Sequence, residues 1–236
     1  MSHPRLAAYL LDAGRHNFYH GIHKALRLGH CRMLTELGAH DYSNAGETAA
    51  LLQKLRGLIG LGRGHLEGEN REIHTALEAR QPGITAYAAA EHAAHEQAFA
   101  ELESLIRAVE VAIPERRPLA GQALYQRYGL CAAADMEQMY LEETEVLSAL
   151  HSAFSDAELM AIEARMLAGI APDKMAAYTA LLMPALNPAE RLEQLQKLRR
   201  DLPDQAFDGL LTGTIQLSLT PQDYAAAMGA LMRGAA

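Results

Sequence analysis

From Asn44 onward the apolar residues return at the three- and four-residue steps of a helix, with Ala49, Leu52, Leu55 and Ile59 recurring at that spacing. Asn44, with Glu47 three residues later, is a capping-box signal ahead of that stripe. The helix it opens is predicted to run to about Ala79, where Gln81-Pro82-Gly83 stops it. Gly60, Gly62, Gly64 and Gly68 lie inside, each costing about 1 kcal/mol relative to Ala, so packing must compensate. An earlier helix is predicted from Arg15 to Leu37, preceded by a short segment from Pro4 to Ala13 and followed by a loop from Gly38 to Ser43. A third is predicted from Thr85 to Val111, closed by Pro114, and a fourth from Leu119 to Ser152.

Beyond Ser152 the helices shorten. Ser155 with Glu158 repeats the capping-box signal, and Asn187, Pro188 and Glu190 give an N-cap, a proline at the first helical position and a glutamate at the third. Thr220-Pro221 repeats the cap-then-proline pattern. No run of strand-type alternation interrupts this order. The expected fold is all-α: an up-down four-helix bundle over residues 1–153, with short connections, and a helical C-terminal extension over 154–236.

Composition agrees and removes several functions. Half of the 236 residues are apolar, enough for a sizeable core, and good helix formers dominate. A formal net charge of -8 repels phosphate, so nucleic acid is not an expected partner, and Lys197, Arg199 and Arg200 read as a solvated helix face. No stretch approaches the roughly 18–20 apolar residues of a membrane span, and the N-terminus lacks the pattern of a secretory signal. Cys31 and Cys131 stand far apart and outside any CxxC, as reduced thiols of a cytoplasmic protein would.

Histidine is unevenly placed. Of 11, only His151 falls beyond residue 95. Neutral imidazole is the commonest metal ligand, and residues four apart share a helix face. On the first helix His16 and His20 are four apart, and His16, His23 and His30 are spaced by seven. The second offers His65 and Glu69, with Glu72 and His74 nearby; the third, His92 and Glu96, with His95 between; the fourth, Gln138 and Glu142, with Glu143 next. Any one such pair is ordinarily a local hydrogen bond. Four helices offering them together point to donors converging on a metal pair in a bundle core. Glu-x-x-His, HExxH, P-loop and dinucleotide signatures are absent. Gly60-Leu61-Gly62-Arg63-Gly64 follows no strand and reads as a helix irregularity, and Tyr125, Tyr128 and Tyr140 read as packing.

The segments Ile22 to Arg27, His65 to Asn70, Ile73 to Glu78 and Glu91 to Glu96, with Met139 to Leu150, resemble the hemerythrin-like (HHE cation-binding) domain family. Leu182 to Arg191 resembles the C-terminal extension of a bacterial subgroup of it. The resemblance implies a four-helix bundle holding a non-haem di-iron centre that binds O2, NO or related species. It assigns His23 as the first-helix ligand, His65 and a bridging Glu69 on the second, His92 or else His95 on the third, and Glu142 or Glu143 on the fourth.

Where the family has a fourth-helix histidine this chain has Gln138, a weak neutral oxygen donor. Three outcomes follow: His74 or His95 fills the position, a single ion is held, or the site has become a polar core network. The expected protein therefore binds iron for sensing or binding O2, NO or redox state, or for iron handling. The alternative is a metal-free helical interaction or scaffold protein whose extension covers a bundle face or forms a homodimer. Nothing marks a substrate pocket, so binding rather than turnover is the expectation.

Overall fold

The computed structural model describes residues 14–233, which are helical with no strand. The segment from Pro4 to Ala13 lies outside the described residues. Helix α1 spans Tyr19–Ala39. It starts later than its apolar pattern predicts because Asn17 Oδ1 accepts the Tyr19 backbone N–H at 3.0 Å, a local turn that competes with helix. Arg15, outside the helix, donates instead to Asp156 Oδ1 at 2.6 Å and to the carbonyls of His151 and Phe154.

Helix α2 opens at Ala45, where Asn44 Oδ1 accepts the Glu47 N–H at 3.2 Å. It runs as α-helix to Gly68, widens into a π-type stretch over Glu69–His74, and resumes over Thr75–Arg80. The Glu78 carboxylate then accepts from Gly83 N and from Thr85 N and Oγ1 at 2.6–2.7 Å, tying down the turn into α3, Ala86–Val111. Helix α4 repeats the form of α2: α-helix over Arg117–Leu141, a π-type stretch over Glu142–Val146, then Leu147–Ala153. Neither widening is legible in the sequence, because apolar periodicity does not register one inserted residue. Short helices follow: α5 Asp156–Ala168, α6 Pro172–Ala185, α7 Pro188–Asp201, α8 from Asp204 through a third π-type stretch to Ser218, and α9 Pro221–Arg233. The capping boxes at Ser155/Glu158 and Asn187/Glu190 are both formed.

The chain groups into two compact units, residues 14–19 with 30–169, and residues 20–29 with 170–233. In the second, Met183, Leu195, Phe207, Ile215 and Leu231 form one apolar cluster. Arg191 is buried there and donates to the carbonyls of Met183 and Leu186, closing the C-terminal end of α6. Glu190, the cap glutamate of α7, also takes Lys24 Nζ at 2.6 Å and His20 Nε2 at 2.8 Å.

The first unit holds two apolar clusters. One includes Leu52, Leu55, Leu66, Phe99, Leu102, Leu124 and Tyr128; the other, Tyr19, Ile73, Leu77, Leu147, Leu150 and Leu159. On α2 the boundary between them falls after Leu66 and before Ile73; on α4 it falls after Ala132 and before Leu147. Glu69 on α2 and Asp135, Gln138 and Glu142 on α4 are buried polar residues within that interval, and His65 and His74 border it. Helix α4 approaches the loop before α2 so closely that a Cβ on Gly121 would lie 2.5 Å from the buried Tyr42 ring. Gly121→Ala is therefore expected to destabilise the protein by about 1–3 kcal/mol, the usual cost of overpacking. Urea unfolding of the variant and its parent measures this.

Candidate metal centre

Between the two clusters the first unit buries an unusual set of ionisable side chains. Glu69 is 0 % and Glu142 1 % exposed, and His65, His92, His95, His74 and Gln138 are also buried. His65 and Glu69 face the same way because they are four apart on regular α-helix. From Glu69 the helix widens, and the i→i+5 pattern brings His74, five residues on, back over that face. Gln138 and Glu142 are likewise four apart, ahead of the second widening.

The donors converge. His65, Glu69 and Glu142 each present one ligand atom within 4.8 Å of the others. His65 Nε2 lies 3.3 Å from Glu69 Oε1, and His92 Nε2 lies 3.5 Å from Glu69 Oε2 and 3.2 Å from Glu142 Oε1. Two donors bound to one cation at about 2.1 Å stand about 3.0–3.4 Å apart for angles between 90° and tetrahedral. The 3.2 and 3.3 Å spacings fall in that range, the first of them also a hydrogen bond between His92 and Glu142, and the 3.5 Å spacing lies just beyond it.

His92 Nδ1–H donates to Asn70 Oδ1 at 2.8 Å, and His92 Nε2 hydrogen-bonds with Glu142 Oε1 at 3.2 Å, with Glu69 Oε2 at 3.5 Å beyond it. Burial, and then repulsion from His95, pull the His92 imidazole down to about 4, so the ring is neutral at pH 7. Burial, then the charges of Glu142 and Asp135, push the Glu69 carboxyl well above its usual range. Burial, then Glu69 and Glu142, also raise the phenol of the buried Tyr19. An anionic, lone-pair-rich layer of this kind is relieved by a cation or by a proton on Glu69. Its nitrogen and oxygen donors suit a first-row transition ion.

Of the residues singled out by spacing, His65, Glu69, His92 and Glu142 thus meet. His23 is fully buried on α1, four residues after Tyr19 and seven before His30, on the stripe those residues define. His74 stacks on His92 with ring centroids 4.8 Å apart, and both its ring nitrogens are buried without a hydrogen-bond partner. Burial, then His92, pull His74 down to about 4. His95 turns toward Asp135, 3.5 Å from Oδ1. Glu143 is half-buried and is not among the converging atoms. Gln138 Nε2 donates to Glu142 Oε1 at 2.7 Å, so the amide orients that carboxylate.

Asn70 and Asp135 escaped the pattern reading, and Tyr128, read as packing, hydrogen-bonds with His30 of the first-helix stripe. A signal existed for Asp135, since Tyr128, Asp135 and Glu142 are spaced by seven on α4, as His16, His23 and His30 are on α1. A cavity of about 90 Å3, bounded outside by Ile84 and Tyr87 and walled by Leu77, Ala88 and Ala149, reaches Gln138 and Glu142. Both cysteines are free thiols. No described helix is long and apolar enough to cross a membrane.

Comparison with family models, with curated proteins and with solved structures finds no match to this chain.

The buried imidazoles set the acid limb of stability. His74 and His92 are neutral in the folded protein down to about pH 4, whereas in the unfolded chain they take up protons near 6.5. The unfolded state therefore binds more protons between those values, and stability falls as pH drops from about 6.5 to 4. Thermal unfolding of metal-depleted protein should show that slope, reduced in His74→Gln. Glu69 works in the opposite sense: its raised folded value makes ionisation at neutral pH destabilising. Metal-depleted Glu69→Gln should melt above its parent at pH 7.

Proposed function

We propose that this chain is a hemerythrin-like metal-binding protein. In this reading a four-helix bundle holds iron in its core through His65, Glu69, His92 and Glu142. The observation that carries it is the convergence of buried His65, Glu69 and Glu142 donor atoms within 4.8 Å of one another, with His92 held against Glu142 by Asn70. A core that needed only stability would fill this layer with apolar side chains. Bound iron supplies reversible ligand binding at an open position and one-electron redox chemistry.

The chain's own residues do the rest. Asn70 holds the His92 tautomer, and Gln138 holds Glu142, the outer-layer tasks that ligand residues require. The cavity against Gln138 and Glu142 has room for several waters and suits a small ligand such as O2 or NO rather than an organic substrate. Sensing or binding such a ligand, or iron handling, follows more directly than turnover. Free thiols at Cys31 and Cys131 accord with a cytoplasmic setting.

The alternative is a metal-free helical scaffold, and one contact favours it. Gln138, standing where a ligand histidine is expected, donates to Glu142 at 2.7 Å within a buried polar network. Elemental analysis separates the two. Protein expressed with iron should carry it at one or two equivalents and absorb in the near ultraviolet. His65→Ala and Glu69→Ala should lose both signals, and Gln138→His should raise occupancy. Chelation should lower the melting temperature, because a ligand at a hundred times its Kd contributes about 2.7 kcal/mol. Metal-free protein with an unchanged melting temperature after chelation means the scaffold reading holds.

A further inference from the structure

Apart from the converging donors, α1 and α4 bury a tyrosine whose hydroxyl is paired to a base. Tyr128 O–H donates to His30 Nδ1 at 2.9 Å, and His30 Nε2–H donates to Asp135 Oδ2 at 2.6 Å. An ionised carboxylate only accepts, so the ring proton of His30 stands on Nε2 and its Nδ1 offers the lone pair to the phenol. Burial raises the Asp135 carboxyl, but the His30 hydrogen bond, and then the charges of His30, His95 and His65, outweigh it, and the group stays ionised below its usual value. Tyr128, His30 and Asp135 are all buried, and the Tyr128 side chain is 1 % exposed.

A phenol gives up an electron readily only when its proton leaves with it, because the phenol radical cation is a strong acid. Burial, and then Cys131 and Asp135, push the Tyr128 phenol well above its usual value, so it does not ionise on its own. In a buried core the proton needs a fixed acceptor, and His30 Nδ1 stands within the reach that proton transfer requires. The imidazolium that results already has its counter-charge, Asp135, in a charge-assisted hydrogen bond. Packing alone asks for less: the buried Tyr42 hydroxyl is satisfied by the Leu37 carbonyl at 3.2 Å, with no base and no acid behind it. The chain has no Trp, so no indole competes with tyrosine as the oxidisable aromatic.

We propose that Tyr128 is a redox-active tyrosine with His30 as its proton acceptor. The phenol O–H bond breaks, the proton passes to His30 Nδ1, and one electron passes to a one-electron oxidant. A neutral tyrosyl radical remains beside an imidazolium held by Asp135. Re-reduction returns the electron, and the proton travels back along the same hydrogen bond. The proton stays within the Tyr128–His30 pair, so the step needs no water. The oxidant served in the protein is of one class, an oxidised first-row transition ion, and in that respect the inference rests on the metal-binding reading above. Asp135 adjoins that centre, since it acts electrostatically on Glu69 and is itself acted on by His65. The pair thus stores one reducing equivalent beside it.

Metal-depleted full-length protein is oxidised with photogenerated tris(bipyridine)ruthenium(III) and followed by electron paramagnetic resonance. A long-lived tyrosyl signal is expected, apart from the fast-decaying ones of the exposed Tyr87, Tyr125 and Tyr140. In D2O that radical should carry an exchangeable deuteron coupling, the mark of the His30 hydrogen bond to the phenoxyl oxygen. Tyr128→Phe should lose the long-lived signal. His30→Gln, whose amide accepts a hydrogen bond but no proton, should lose it with Tyr128 still in place. Circular dichroism checks that each variant is folded, and the deuteron coupling in the parent decides should either fail that check. No long-lived radical in the parent, the same radical in a folded Tyr128→Phe or His30→Gln variant, or a parent radical without the coupling overturns the proposal. Because the oxidant is external, such a result leaves the metal centre standing. A parent that gives the radical but binds no iron overturns the centre alone.

Discussion

The constraint on which the first unit turns is the removal of the Glu69 and Glu142 carboxyl groups from water. Taking a charged group out of water costs several kcal/mol unless hydrogen bonds and opposite charge offset it, more than one apolar contact returns. That burden is spread over two apolar clusters that flank the polar layer on α2 and α4. Leu55, Leu102, Ile106 and Leu124 on one side, and Ile73, Leu77 and Leu150 on the other, are 0 % exposed. They supply the packing that keeps a self-repelling layer in place, and they shield it from bulk water, which strengthens the electrostatic contacts inside.

Backbone irregularity is concentrated at the same level. The π-type stretches of α2 and α4 begin at Glu69 and Glu142, the two central carboxyl groups. Such widenings strain the regular ladder and recur at functional sites. Here the one in α2 lets His65, Glu69 and His74 share a face, which uninterrupted α-helix denies to residues five apart. Local order is given up so that donors on facing helices meet.

A layer of orienting residues surrounds the donors. Asn70, Gln138, His30 and Tyr128 each make one short hydrogen bond that fixes a tautomer or a carboxylate. Together they fix the orientation of the groups they touch. Conversely, His16 and His20, which share the first-helix stripe with His23, are engaged by Glu163 and Glu190. Residue type and helical spacing alone do not separate these two fates.

What the sequence determined by itself was local. The caps at Asn44, Ser155 and Asn187, the stops at Pro82 and Pro114, and the 3.6-residue apolar period define helices within a few residues of those observed, because each signal is read by neighbours in the chain. The pairing of His65 with Glu69 was legible for the same reason. Three things belonged to tertiary structure: the π-type widenings, the turning of His95 toward Asp135 rather than Glu142, and the role of Asp135 itself. A buried aspartate is a site or a blemish according to what stands across from it. For Asp135 that is His30, over a hundred positions away in the chain, and only the packing of α1 against α4 brings the two within 2.6 Å.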